Sequence, residues 1–136
     1  MQKIELAGCV LLDDYGRLLL LHRSADESSR WELPGGKVEL GETAEETAIR
    51  EANEELGVNI RLIGMLGIGE FEQDEREYRY TWFQAVIESG EVSVREPEKF
   101  DDLEYYEVED LLSLALSENM KVLFEQIFSG EVSFIV

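Results

Sequence analysis

The chain has 136 residues, 44% of them hydrophobic, and its 31 acidic against 12 basic side chains give a formal charge of −19. This composition fits one packed domain and excludes a disordered tail. It argues against a nucleic-acid strand as partner, because phosphate backbones are held by clustered Lys and Arg; a small phosphorylated ligand bridged to acidic groups by metal ions stays open, as does plain solubility.

The first apolar run ends in Cys9-Val10-Leu11-Leu12 and is closed by Asp13 and Asp14, too short to span a bilayer. No basic stretch with an apolar segment and cleavage site precedes it, and the single cysteine cannot form an internal disulfide. A cytoplasmic protein without a membrane partner is the expectation.

Residues 3–12 and 17–22 read as strands around a hairpin turn, Asp13-Asp14-Tyr15-Gly16. A polar loop over 24–30 leads to "WELPGGKVELGE", where Pro34-Gly35-Gly36 breaks regular structure. A helix follows, with Thr43 as N-cap, Glu46 completing a capping box and Gly57 at its end. Residues 58–71 predict one long strand or two, bent at Gly64, Gly67 and Gly69. After a charged turn over 72–76, "EYRYTWFQAVIE" alternates as a strand with one buried face. A short strand, "LEYYEV", precedes two helices over 108–116 and 119–128. The expected fold is α/β.

On the helix, Glu51, Glu54 and Glu55 are spaced i, i+3, i+4 and share one side, while Ala48, Ile49, Ala52 and Leu56 form the buried stripe. Three clustered carboxylates repel, and a divalent cation reverses that cost; hard oxygen donors on a rigid helix suit Mg²⁺ or Mn²⁺. A solvated acidic face is the competing reading. Gly35-Gly36 allow a ligand close approach to the backbone. Glu42, about two helical turns before Arg50, is placed to meet it and fix the loop against the helix.

The stretch "GKVELGETAEETAIREANEELGV", residues 36–58, resembles the Nudix box. Gly36, Glu42, Arg50, Glu51, Glu54, Glu55, Gly57 and Val58 fall on the pattern, and Ala52 stands where a larger aliphatic is usual, a departure that touches packing. "WELPGG" extends the likeness to MutT-type members. The resemblance implies a Nudix α/β/α sandwich with a mixed sheet and the loop–helix, spanning residues 1–136 as a single domain. It implies that Glu51, Glu54, Glu55 and the Gly35 carbonyl hold Mg²⁺ (Mn²⁺ substituting), and that a nucleoside diphosphate linked to another group is hydrolysed. Glu54 is then the catalytic candidate and Arg50 orients the glutamates.

Further positions carry two readings each. Arg23 is a substrate-contacting base or a solvated strand end; Lys37 pairs with a phosphate or with Glu39. In "REPEKFDDLEYY", Glu96 or Glu98 is a distant carboxylate acting as base, or part of a charged turn. Asn119 reads a purine edge, or caps a helix after Ser117. Phe71, Trp82 and Phe83 are better read as core than as base-stacking rings. His22 and Cys9 read as structural.

A nucleoside triphosphate, oxidised or not, cleaved to monophosphate and pyrophosphate ranks first. ADP-ribose or another nucleotide sugar comes second, because Asp74 stands where such members often carry proline, and dinucleoside polyphosphates come third. The different-class alternative is a non-catalytic Nudix-fold nucleotide-binding module. The partner is a small-molecule nucleotide, and the assembly a monomer or homodimer.

Overall fold

The computed structural model describes residues 2–24 and 29–135. Four strands, β1 (Ile4–Leu11), β2 (Leu18–Arg23), β3 (Trp31–Glu32) and β4 (Gly35–Lys37), lead into α1 (Ala44–Leu56); β5 (Asn59–Gln73), β6 (Arg76–Ser89) and β7 (Phe100–Tyr106) follow, then a 3₁₀ turn (Val108–Ser113) and α2 (Glu118–Ser129). One sheet has the order β4-β1-β6-β5 and a second the order β3-β2-β7. β1 runs parallel to β6 and antiparallel to β4, so the larger sheet is mixed. The Asp13–Gly16 turn is present, with the Asp13 carboxylate accepting the Tyr15 and Arg17 N–H groups at 2.9 Å. It joins strands of the two sheets.

The leucine run 18–21 is buried throughout. Successive strand residues face opposite ways, so burial at every position requires cover on both sides. Leu18 and Leu20 pack with Val10, Trp82, Met120 and Leu123 under α2; Leu19 and Leu21 pack with Cys9, Leu11, Ala52 and Leu56 under α1. The same sandwiching corrects the expectation for β6: Tyr80 to Ala85 are all buried, because Tyr80 and Trp82 pack with Leu18, Leu20 and α2 on one face while Phe83 and Ala85 pack with α1 on the other. Trp82 and Phe83 are core residues, as is Cys9, whose thiol burial pushes up to about 12.

α1 is set by local chemistry. Thr43 Oγ1 accepts the Glu46 N–H at 3.1 Å, Glu46 returns a bond to the Thr43 N–H, and Gly57 closes the helix at φ 76°. Its buried side comprises Thr47, Ala48, Ala52, Glu55 and Leu56, which departs from the expected stripe of Ala48, Ile49, Ala52 and Leu56. Ile49 is 41% exposed, and Thr47 is buried in its place, its hydroxyl donating to Glu42 at 2.6 Å. β5 is one continuous strand whose pairing with β6 shifts register between Leu62 and Gly64 and between Met65 and Gly67. The last two predicted helices are a 3₁₀ turn and α2. Among the described residues no helix is long and apolar enough to cross a membrane.

Candidate active site

Antiparallel pairing of β4 with β1 sets Gly35 opposite Gly8 and Gly36 opposite Ala7. A Cβ on Gly35 would collide with the Tyr80 hydroxyl and lie 2.6 Å from the Ala7 carbonyl, and one on Gly36 would lie 2.7 Å from the Glu51 carboxyl carbon. The glycine pair is therefore a requirement of space: α1 presses its acidic side directly against this backbone.

The three glutamates differ in environment. Glu55 is 4% exposed and accepts the Gly35 N–H at 2.9 Å. Burial, reinforced by the negative charge of Glu51, raises its pKa well above the ordinary carboxylate range. Glu51 is half-buried and Glu54 exposed. The expectation of three carboxylates side by side on one accessible face is thus corrected, because the i+4 member turns inward.

Arg50 organises the rest. Its Nε and Nη2 donate to the two oxygens of Glu42 at 2.7 and 3.0 Å, Nη1 donates to Glu51 at 2.8 Å and Glu54 at 3.1 Å, and Nη2 also reaches the Lys37 carbonyl at 3.2 Å. The Glu42 pairing read from spacing is present and bidentate, a geometry that fits a guanidinium fork. It holds Glu42 at about 2, Arg50 being the main cause and Thr47 the next.

A divalent cation fits this donor set by chemistry: the oxygens are hard, Glu55 is buried against a like charge, and the cation would relieve both costs. Among the described residues no group of three His, Cys, Asp or Glu side chains closes on a single point. Arg50 stands between Glu51 and Glu54. Glu51, Glu54 and Glu55 would hold the ion, and Arg50 would share them.

Beside the glycine pair opens a cleft of about 550 Å³, with a smaller hollow of about 160 Å³ reaching Gly35 and Gly36. Arg23, Glu32 and Asn119 line both. Arg23 donates to Glu32 at 3.0 and 2.7 Å and lies over the Phe100 ring, 5.0 Å from its centroid. Asn119 sits inside the first turn of α2, where Ser117 holds the N-cap position; the cap reading for Asn119 is corrected. Its Oδ1 is buried without a hydrogen-bond partner among the described residues. Phe71 is core in part: half-buried, it packs against the core and stacks on Tyr78 at 5.1 Å and 9°, and both rings line the cleft.

Other residues lie elsewhere. Lys37 is exposed and meets Arg50 only through its carbonyl. Glu98 is exposed on the turn before β7 and is not among the residues lining the cleft; Glu96 pairs with Lys99 at 3.6 Å. His22, read as a lone histidine, has partners: Nδ1 lies 2.7 Å from Asp101 and Nε2 3.2 Å from the Ser29 hydroxyl.

Sequence reasoning missed Glu32, Arg30, Tyr78 and Ser117 as cleft residues. For Glu32 a signal existed. Strands 17–22 and "WE" flank a single loop, and their antiparallel pairing, Leu21 opposite Glu32, brings Glu32 beside Arg23.

The model of the NUDIX domain matches residues 4–127. The chain belongs to the NUDIX family. Its Nudix box is carried by β4, α1 and the loop between them. The chain is 31% identical over 88 residues to the 8-oxo-dGTP diphosphatase of Escherichia coli (strain K12), a match covering 63% of this chain and 67% of that protein. It is 38% identical over 68 residues to a MutT-like protein of Streptomyces ambofaciens, covering 50% of this chain but 42% of the relative, so the matched region is less than half of that protein. A crystal structure of a MutT NUDIX hydrolase from Burkholderia pseudomallei superposes with a TM-score of 0.83 at 30% identity, covering 93% of this chain and 99% of that one. The chain is a MutT-like Nudix hydrolase with the α/β fold of that family.

Proposed function

We propose that this Nudix hydrolase is a Mg²⁺-dependent pyrophosphohydrolase that converts a nucleoside triphosphate, an oxidised one included, to the monophosphate and pyrophosphate. The observation that carries the reading is that one pair of adjoining cavities is lined by Gly35 and Gly36, by Arg23 and by Asn119. The glycine pair, against which Glu51 and Glu55 pack, and the two sequence-read substrate residues thus border adjoining cavities. Similarity to an 8-oxo-dGTP diphosphatase supports the same substrate class.

Each residue has a definite task. Glu32 and Phe100 hold the Arg23 guanidinium in one orientation, so it meets a phosphate oxygen without first losing side-chain freedom. A divalent cation held by Glu51, Glu54 and Glu55 would neutralise the diphosphate and make a water more acidic. Glu54, exposed and 3.1 Å from Arg50 Nη1, accepts the proton of the attacking water while the phosphoanhydride bond breaks and pyrophosphate leaves. Glu98 is the weaker candidate, because it is exposed on the turn before β7 and makes no hydrogen bond or ion pair with Arg50 or the α1 glutamates among the described residues. The Asn119 amide, with both a donor and an acceptor, pairs with a purine edge.

The test is release of pyrophosphate and of phosphate from a panel of nucleoside triphosphates, ADP-ribose and dinucleoside polyphosphates, with and without Mg²⁺. Pyrophosphate from triphosphates only with Mg²⁺ upholds the reading. Faster turnover of ADP-ribose than of every triphosphate replaces the substrate, and nucleotide binding without turnover makes the chain a binding module.

A further inference from the structure

Tyr80 and Trp82 lie two residues apart on β6 and enter the same core beneath α2, their ring centroids 6.0 Å apart. Packing thus fixes the Tyr80 ring, and the residue is only 3% exposed. The hydroxyl reaches beyond that core. It lies against the backbones of Gly8 and Gly35, which are paired across β1 and β4, and a Cβ on either glycine would collide with it. Two glycines are needed to admit one hydroxyl.

A buried phenol ordinarily commits its hydroxyl to a hydrogen bond. That of Tyr80 makes none among the described residues; the residue instead lines the hollow of about 160 Å³ beside Gly35 and Gly36. The other walls show what this space accepts. Leu6 and Leu33 are apolar, and the Glu32 carboxylate is engaged with Arg23, whose guanidinium it orients. The Gly35 N–H is already given to Glu55, so that residue has no N–H left for a ligand. A charged donor and a neutral one therefore border the same small space, which calls for a group rich in acceptor oxygens. A phenol stays protonated at neutral pH and donates without adding charge.

We propose that the Tyr80 hydroxyl donates to a non-bridging oxygen of the substrate's α-phosphate and holds that phosphate beside Gly35. Asn119, the residue assigned to the base, borders the same hollow, so the phosphate within reach is the one joined to the nucleoside. Arg23 meets the phosphate as a charge, and Tyr80 fixes its orientation. This inference rests on the proposed substrate class.

NMR titration of the wild type and Tyr80→Phe with dGMP and with deoxyguanosine, in Mg²⁺, separates the phosphate from the base and sugar and needs no hydrolysis. Tyr80→Phe keeps the ring and deletes only the hydroxyl, so its melting temperature should be no lower than that of the wild type. It should weaken dGMP about tenfold, the factor carried by one hydrogen bond to a charged group, and leave deoxyguanosine unchanged. An unaltered affinity for dGMP, or an equal weakening of nucleoside and nucleotide, would overturn the assignment. So would a wild type that binds dGMP no more tightly than deoxyguanosine. A wild type that binds dGMP through Tyr80 yet hydrolyses no triphosphate would sink the proposed reaction and leave the phosphate contact standing.

Discussion

The buried carboxylate of Glu55 accepts the backbone N–H of Gly35 at 2.9 Å, joining the glycine loop to the helix across twenty residues of sequence. Because the bond comes from a backbone donor, it sets the height of the loop above α1. Burial and the charge of Glu51 raise the Glu55 pKa. A side chain placed so unfavourably for its own ionisation is expected where a cation completes the site.

Glu54→Gln and Glu55→Gln should each lower turnover by about a hundredfold or more while the fold persists, since amides are poor ligands for a hard cation and a preorganised charge is lost. Glu55→Gln keeps an acceptor for Gly35, so its circular dichroism spectrum should match the wild type. Near-wild-type activity of either variant at saturating Mg²⁺ would refute the metal assignment.

Mg²⁺ or Mn²⁺ should raise the melting temperature more than NaCl at matched ionic strength. Binding to the native state alone stabilises it by about 2.7 kcal/mol at a hundred times the dissociation constant, whereas screening acts on all of the acidic surface alike. Equal shifts in both salts would mean a wet acidic face.

The Glu42–Arg50 pair predicts an acid limb in stability. Glu42 sits at about 2 in the folded protein against an ordinary value of 4.5, so the folded state favours its charged form. Its contribution is complete above about pH 4.5 and disappears as pH falls toward 2. Glu42→Gln should be less stable than the wild type at neutral pH, and the two urea midpoints should converge as pH approaches 2. A constant gap across that window would show that the pair is not responsible.

Asn119→Ala should reduce discrimination between purine and pyrimidine triphosphates by ~1–3 kcal/mol, read as the ratio of kcat/KM values, with the Mg²⁺ dependence unchanged. A uniform loss across bases would mean that Asn119 supports the helix rather than the base.

What the sequence disclosed here was mostly local. The capping box of Thr43 and Glu46, the left-handed Gly57 and the Glu42–Arg50 contact all depend on residues within two helical turns, and each is present. Ile49 went astray because Thr47 turns its hydroxyl in toward Glu42, displacing the apolar stripe. Two-sided burial of β6 was hidden because its two faces are covered by elements distant in the chain, α1 on one side and β2 with α2 on the other. The cleft was legible only in pieces: Arg23 and Asn119 each drew notice, but the Glu32 grip and the Ser117 position come from the packing of β3 against β2 and α2. Glu98 illustrates the reverse, since a charged turn can carry a motif's spacing without entering the cavity.

Arg50 answers three carboxylates at once, those of Glu42, Glu51 and Glu54. The chain thus brings its own resident counter-ion to the most acidic stretch of its surface. During synthesis the helix can pack with this arginine as a placeholder, so assembly of the domain does not wait on the supply of a metal. Were a divalent cation to bind, the guanidinium would have only to loosen its hold on Glu51 and Glu54 while keeping the two-bond grip on Glu42. Readiness for the ion and independence from it are served by the same side chain.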